Sequence, residues 1–204
     1  MLDLSLQAVL LRLVALLVLT GLHGFILALV ARLLGAKGPG YDGRQTLNPF
    51  THLDMLAIIP FILFQAGWIR PVALEHDEVR GKRAGLVAVA LLGLALTLAI
   101  VVLIWLTRPW LIAAIPDANL SAGLSTFIRT LLEMSVWFTI FNILPIPPLT
   151  GGLILQALAP AAHAVLLRYD LVVRLGLIAV IALASPVLRP LFDLLWRLVA
   201  LGRR

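Results

Sequence analysis

The feature that most constrains this chain is a series of long apolar runs. The clearest is residues 84–106, "AGLVAVALLGLALTLAIVVLIWL", which contains no charged side chain. Across the whole chain 62% of residues are hydrophobic and only 13% are charged, with a mean hydropathy of +1.07. Soluble domains are typically about 45–50% apolar, and runs of about 20 apolar residues are long enough to cross a bilayer. The sequence therefore predicts an all-α integral membrane protein.

Glycine and proline divide the chain into segments. We predict about five to six transmembrane helices within a single membrane domain over residues 1–204, and the first run reads as a retained anchor. A shorter stretch at 53–69 contains Pro60, and 190–202 could lie at the interface. The predicted apolar helices lie at about 4–34, 84–106, 123–145, 151–167 and 171–188.

The positive charge lies in short segments between apolar runs, ending with a basic tail that includes Arg203 and Arg204. This distribution is typical of the positive-inside rule and not of a nucleic-acid surface. We therefore predict a bacterial inner membrane protein whose N-terminus is outside and whose loops 35–46 and 70–83 are both cytoplasmic. Because the loops that flank 53–69 are both basic, that segment is predicted to re-enter the membrane or lie in the interface. The chain has no cysteine, which excludes disulfides and thiolate metal ligands.

Two polar features interrupt the apolar pattern. His23 lies inside the first helix, in "GLHGFILALVARLLG", and ionisable residues within membrane helices are functional by default. The second feature is "FNILPIPPLTGG" at 141–152, where a helix ends in a proline-rich stretch. Non-helical backbone is tolerated at membrane depth only against protein or water. A broken helix and an intramembrane histidine together indicate an internal site. Arg12, in the same helix as His23, could snorkel to the outer surface.

These segments resemble the site-2 proteases, a family of intramembrane zinc metalloproteases. That family has HExxH on one transmembrane helix and NxxPxxPLDGG on a later one. Here "HGFILA" (23–28) and "NILPIPPLTGG" (142–152) align with the two patterns without gaps, and "GRQTLNPFTHLDML" (43–56) resembles the connecting segment. The resemblance covers about residues 20–155 and implies a site-2-protease-like bundle, with additional C-terminal helices over 151–204.

The residues that would carry the family's chemistry are replaced. The resemblance implies two histidines and an aspartate as zinc ligands and a glutamate as general base, but His23 is retained alone. The glutamate, the second histidine and the aspartate are replaced by Gly24, Leu27 and Thr150. The GPxxN element of the middle helix reads "GLALT" (93–97), which keeps only its glycine. Catalytic zinc needs three protein ligands, so we expect no catalytic residue and no bound metal.

Other polar residues were weighed as replacement ligands. His52, Asp54, His76 and His163 do not lie at helical spacing from His23. His23 is then best explained as a neutral relic hydrogen-bonded to a carbonyl or threonine, with a ligand or proton role as the alternative. Asp54 reads as a cap or an interface anchor, with a functional role as the minority reading.

The expected function is that of a pseudoprotease: an accessory or regulatory subunit that binds other integral membrane proteins within the lipid bilayer. Its peptide- or partner-binding residues are expected where the proline-rich segment stays extended, although Asn142 could equally cap backbone groups. The alternatives are an active zinc metalloprotease with atypical ligands and a small transporter component. The expected binding residues are Asn142, Leu144, Pro145, Pro148, Gly151 and Gly152.

Overall fold

The computed structural model describes residues 4–200, and all regular structure in that range is helical. The predictions for the N-terminus, for Arg203 and Arg204, and for the ends of the 1–204 domain and of the 190–202 segment lie outside the described residues. The helices are α1 Leu6–Leu33, α2 Gly38–Tyr41, α3 Pro49–His52, α4 Ile58–Phe64, α5 Arg83–Ala113, α6 Ala118–Asn142, α7 Gly152–Leu158, α8 Pro160–Arg168, α9 Asp170–Val187 and α10 Arg189–Val199.

Four of these helices are long and apolar enough to cross a membrane: α1, α5, α6 and α9. This agrees with an all-α membrane protein, but it is fewer than the five to six spans predicted. The difference lies at 151–167, which is two short helices and not one. Pro160 has no N–H and disfavours helical backbone at the preceding residue, so Ala159 adopts φ −140° and ψ 71° and separates α7 from α8.

Helix α1 lies at the centre of the bundle and packs against α5 and α6. It begins at Ser5, whose side chain accepts a hydrogen bond from the Ala8 amide at 3.3 Å. Small residues allow neighbouring segments to approach α1 closely. A Cβ at Gly21 would lie 2.5 Å from the Leu47 carbonyl oxygen, so this position excludes any side chain.

The 53–69 segment packs against α1 and α9, and its two ends lie side by side. The Arg70 amide donates to the His52 carbonyl at 2.7 Å, so the two ends of the segment meet. Between them lies the seven-residue helix α4, with Phe61 fully buried. Re-entry into the membrane stays a prediction.

Arg12 does not extend to the surface, contrary to the expectation of snorkelling. Its side chain is buried, and Nη1 donates to the Ile62 carbonyl of α4 at 2.7 Å. The guanidinium lines a cavity that also contains Gln65 and Glu133, and the last turn of α4 supplies its carbonyl acceptor. Arg12 therefore holds α4 against α1.

Candidate functional site

His23 lies in a polar cluster at the centre of the bundle. It is completely buried, and its two ring nitrogens contact threonines on different elements: Nδ1 lies 2.9 Å from Thr97 Oγ1 and Nε2 lies 2.9 Å from Thr150 Oγ1. The Thr97 hydroxyl has an acceptor away from the ring, the Gly93 carbonyl at 2.7 Å. The Thr150 hydroxyl also has an acceptor away from the ring, Asn142 Oδ1 at 3.3 Å. Each threonine can therefore donate to His23 or accept from it, and the two contacts fit either neutral tautomer. A neutral imidazole is fully satisfied by this arrangement.

Asn142 extends the cluster into the proline-rich segment. Its Nδ2 donates to the Gly67 carbonyl at 2.7 Å and to the Phe138 carbonyl at 2.9 Å. Its Oδ1 accepts from the Thr150 amide at 3.1 Å. The side chain therefore binds backbone groups of three segments, α6, the proline-rich segment and the connector at Gly67, which matches the capping role that the sequence allows for Asn142. Its assignment to peptide binding stays a prediction.

The paired glycines after Thr150 let the chain double back on itself. A Cβ at Gly151 would overlap the Leu144 carbonyl, and one at Gly152 would lie 3.0 Å from Pro147 Cα. The Gly151 amide donates to the Asn142 carbonyl at 2.7 Å. The turn thus brings Thr150 back to the end of α6, beside His23.

Gly24 is in direct contact with His52. A Cβ added at Gly24 would overlap Cγ and Nδ1 of the His52 ring, so the imidazole fills the space that a side chain at position 24 would occupy. This is the position at which the resemblance places a catalytic glutamate. One turn further along α1, Leu27 packs over Gly93, where a Cβ would lie 2.6 Å from Leu27 Cδ1. Neighbouring side chains therefore fill the space around both Gly24 and Leu27.

The His52 ring is anchored at one nitrogen only. Its Nε2 donates to the Thr46 carbonyl at 2.9 Å, while Nδ1 is buried and has no hydrogen-bond partner among the described residues. Burial lowers the pKa of His52 below its usual value, which the nearby positive charge of Arg44 reinforces. His52 is therefore a neutral packing group beside the site.

The residues present do not fit a zinc ion. Between residues 4 and 200, no three His, Cys, Asp or Glu side chains lie close enough together to hold a metal. Gly24 and Leu27 supply no ligand atom, and both nitrogens of His23 are already hydrogen-bonded. His76 is on the surface beside Asp77, and His163 lines a separate cavity, so neither reaches His23.

Asp54 forms a second buried polar cluster. Its Oδ1 accepts from the Leu56 amide at 3.0 Å, and its Oδ2 accepts from Trp68 Nε1 at 2.9 Å. The carboxylate also pairs with Arg174 of α9. The contact with the Leu56 amide matches the cap that the sequence predicts for Asp54. The ion pair with Arg174 cannot be predicted from neighbouring residues, because Arg174 lies 120 positions further along the chain.

Thr97 is a member of the His23 cluster that the sequence motifs alone do not single out. It occupies the last position of "GLALT", where the family pattern has asparagine, and its spacing of four from Gly93 was the available signal. A threonine in a helix readily donates to the carbonyl four residues earlier, and its oxygen is then free to accept from His23.

The expected binding segment is only partly accessible. Ile143 is 50% exposed and Pro145 is exposed, whereas Leu144 is half-buried and Pro148, Gly151 and Gly152 are buried. Part of the segment, from Pro147 to Leu149, forms one wall of a cavity of about 190 Å³ whose other wall is the extended stretch 71–75.

The fold and site define a helical membrane protein with a closed polar cluster at its centre. The chain is 30% identical over 141 residues to a protein of Bacillus subtilis (strain 168) named "Putative zinc metalloprotease YwhC". The match covers 68% of this chain and 64% of that protein, so the chain spans less than two thirds of its relative. No family model matches the chain, and no solved structure matches it.

Proposed function

We propose that this chain is a non-catalytic membrane protein on a site-2-protease-like scaffold, acting as an accessory or regulatory subunit for other integral membrane proteins. One observation carries the proposal. Where the resemblance places zinc, His23 is hydrogen-bonded to two threonines. Where it places the catalytic base, Gly24 has no side chain and the His52 ring fills the space. No metal belongs to the proposed function.

The second candidate is an active zinc metalloprotease with atypical ligands, which the similarity to the Bacillus protein favours. For that activity His23 would have to release Thr150, and two further ligands would have to move in from outside the cluster. The nearest titratable group, His52, is held to Thr46 by its Nε2.

Metal content separates the two candidates. We expect far less than one zinc per chain, measured by elemental mass spectrometry on protein purified without added metal. A matched variant combines Leu27→His with Thr150→Asp, which adds two ligand side chains around His23 on the same scaffold. This variant is expected to gain zinc, since positions 23 and 27 share a helix face and position 150 already contacts His23. Stoichiometric zinc in the unmodified chain would contradict the proposal.

The partner surface is proposed at the exposed part of the proline-rich segment. The missing N–H groups of Pro145 and Pro147 keep this backbone out of a helix. The segment does not stay extended as the sequence predicts but forms turns: the Ile146 amide donates to the Leu144 carbonyl at 2.8 Å, and the Leu149 amide donates to the Ile146 carbonyl at 2.9 Å. The exposed side chains of Ile143 and Pro145 are therefore the surface proposed to contact another membrane protein.

Photo-crosslinking residues placed at Ile143 and Ile146 should capture a partner in native membranes, with the half-buried Ile178 of α9 as the comparison. Capture from Ile178 alone would show that the partner does not bind at the proline-rich segment.

The proposal includes a bacterial inner membrane with the loops 35–46 and 70–83 in the cytoplasm. A hydrogen bond supports a shared side for these loops: the Arg80 amide donates to the Leu34 carbonyl at 2.6 Å, so both loops meet at one end of α1 and α5.

A further inference from the structure

A second cavity lies at the C-terminal end of α1, and its lining contains no residue of the His23 cluster. It measures about 460 Å³ and is enclosed by the last turn of α1 and the loop that follows. The lining contains two cationic side chains and no carboxylate. The lining residues are Arg32, Gly35, Lys37, Gly40, Tyr41 and Gln45.

One hydrogen-bond donor in this lining, the side-chain amide of Gln45, has no partner among the described residues. Gln45 accepts from Arg32 Nη1 through Oε1, while its Nε2 is buried. A buried donor that lacks an acceptor costs free energy, so an acceptor in the cavity would be stabilising. Arg32 and Lys37 form no ion pair within residues 4–200. The lining therefore combines two cationic side chains that have no ion-pair partner in residues 4–200 with a buried donor that has no acceptor.

Carbonyls at a helix C-terminus carry partial negative charge, which would repel an anion. In the last turn of α1 these carbonyls are hydrogen-bonded within the chain. The Leu34, Gly35 and Ala36 amides donate to the carbonyls of Val30, Arg32 and Ala31, respectively. The nearest acidic groups are outside the lining: Glu78 lies beside Gly38, and Asp42 is exposed.

We propose that this cavity binds the phosphate of an anionic phospholipid headgroup. The cavity lies directly after a 28-residue apolar helix, at the level where headgroups meet water. Leu29 and Leu33 are 38% and 68% exposed and lie one turn apart, next to Arg32, so acyl chains can follow them into the bilayer. Basic pockets at the ends of membrane helices bind phosphorylated headgroups, and Arg32 offers donors matched to phosphate oxygens.

Native mass spectrometry of the full chain in detergent tests this site, with phosphatidylglycerol and phosphatidylcholine as probes. The unmodified chain should bind phosphatidylglycerol more tightly. Combining Arg32→Gln with Lys37→Gln should weaken that binding roughly tenfold or more, because each lost cation removes about 1 kcal/mol of attraction. The matched control combines Lys82→Gln with Arg83→Gln, which removes equal charge from the neighbouring loop. Equal losses in the two double variants would overturn the proposal.

Gln45→Glu tests whether the lipid binds in this cavity or is attracted only by the positive charge of the surrounding surface. This variant keeps an acceptor for Arg32 but replaces the unpaired donor by a carboxylate, so binding of phosphatidylglycerol should fall while the melting temperature stays within a few degrees. Unchanged binding in Gln45→Glu would contradict the assignment. Competition with inorganic phosphate distinguishes the source of the phosphate: displacement by millimolar phosphate would reassign the site to a soluble anion and overturn the lipid proposal.

Discussion

Gly24 and the imidazole of His52 share one small volume beside His23. The ring is completely buried and approaches Gly24 so closely that even a methyl group there would overlap it. A glutamate at position 24 and this placement of His52 are therefore mutually exclusive. The residue at position 24 and the packing of the connecting segment therefore depend on each other, which no single motif in the sequence expresses.

Gly24→Ala is expected to destabilise the protein by about 1–3 kcal/mol, because the added methyl group must displace a buried ring in a close-packed core. The measurement is the free energy of unfolding in detergent micelles. Gly123→Ala is the matched control, since Gly123 is also inside a helix but has no atom within 4 Å of its added Cβ. Alanine there should be neutral or stabilising, given its higher helix propensity.

The double variant Gly24→Ala with His52→Ala tests whether the overlap is the cause. Removing the ring should relieve the cost of the methyl group, so the two changes should show a coupling energy of about 1 kcal/mol or more. Additive effects would mean that alanine at position 24 disturbs something other than His52.

At the scale of elements, one ion pair joins the 53–69 segment to α9. Asp54 and Arg174 are both largely buried, with side chains 7% and 17% exposed. Arg174 also forms an i,i+4 pair with Asp170, with Nε 2.7 Å from Oδ2. Helix α9 otherwise buries few residues, Leu177 and Ile181 among them. Its position beside α4 therefore depends strongly on this pair.

Arg174→Gln should lower the free energy of unfolding by about 3 kcal/mol, because it leaves the buried Asp54 carboxylate without a counter-charge. Arg129→Gln is the control: Arg129 also forms an i,i+4 pair inside a candidate span, but its side chain is 64% exposed, against 17% for Arg174. Solvent-exposed ion pairs contribute about 0–1 kcal/mol to the free energy of unfolding. Similar losses in the two variants would show that Asp54 does not depend on Arg174.

The apolar runs predicted α1, α5, α6 and α9 to within several residues at each end, because burial in lipid or protein selects the same long hydrophobic stretches. The break at Ala159 was missed although Pro160 is visible in the sequence, since the flanking residues remain apolar. The cluster around His23 depends on contacts 74 and 127 residues apart along the chain, and only the folded chain specifies these. The resemblance placed His23 and Thr150 in one site, but it gave no sign that His52 fills the space at Gly24.

At the scale of the molecule, the connections between spans fall at two opposite ends. The loops after α1 and before α5 meet through the bond between Arg80 and Leu34. The connection between α5 and α6 lies at the far end of α5, where Asp117 accepts from the Leu120 amide at 2.7 Å and begins α6. Basic residues are concentrated at the first end, which predicts that this end faces the cytoplasm.

Single cysteines test this orientation cleanly, since the chain has none of its own. Lys37→Cys and Lys82→Cys should react with a membrane-impermeant maleimide only after the cells are permeabilised, while Asp117→Cys should react in intact cells. All three positions are exposed, so differences in labelling report the membrane side and not burial. If Lys37→Cys and Lys82→Cys label from opposite sides, the 53–69 segment crosses the membrane. The loops could then not meet at one end, and the re-entrant prediction would be wrong.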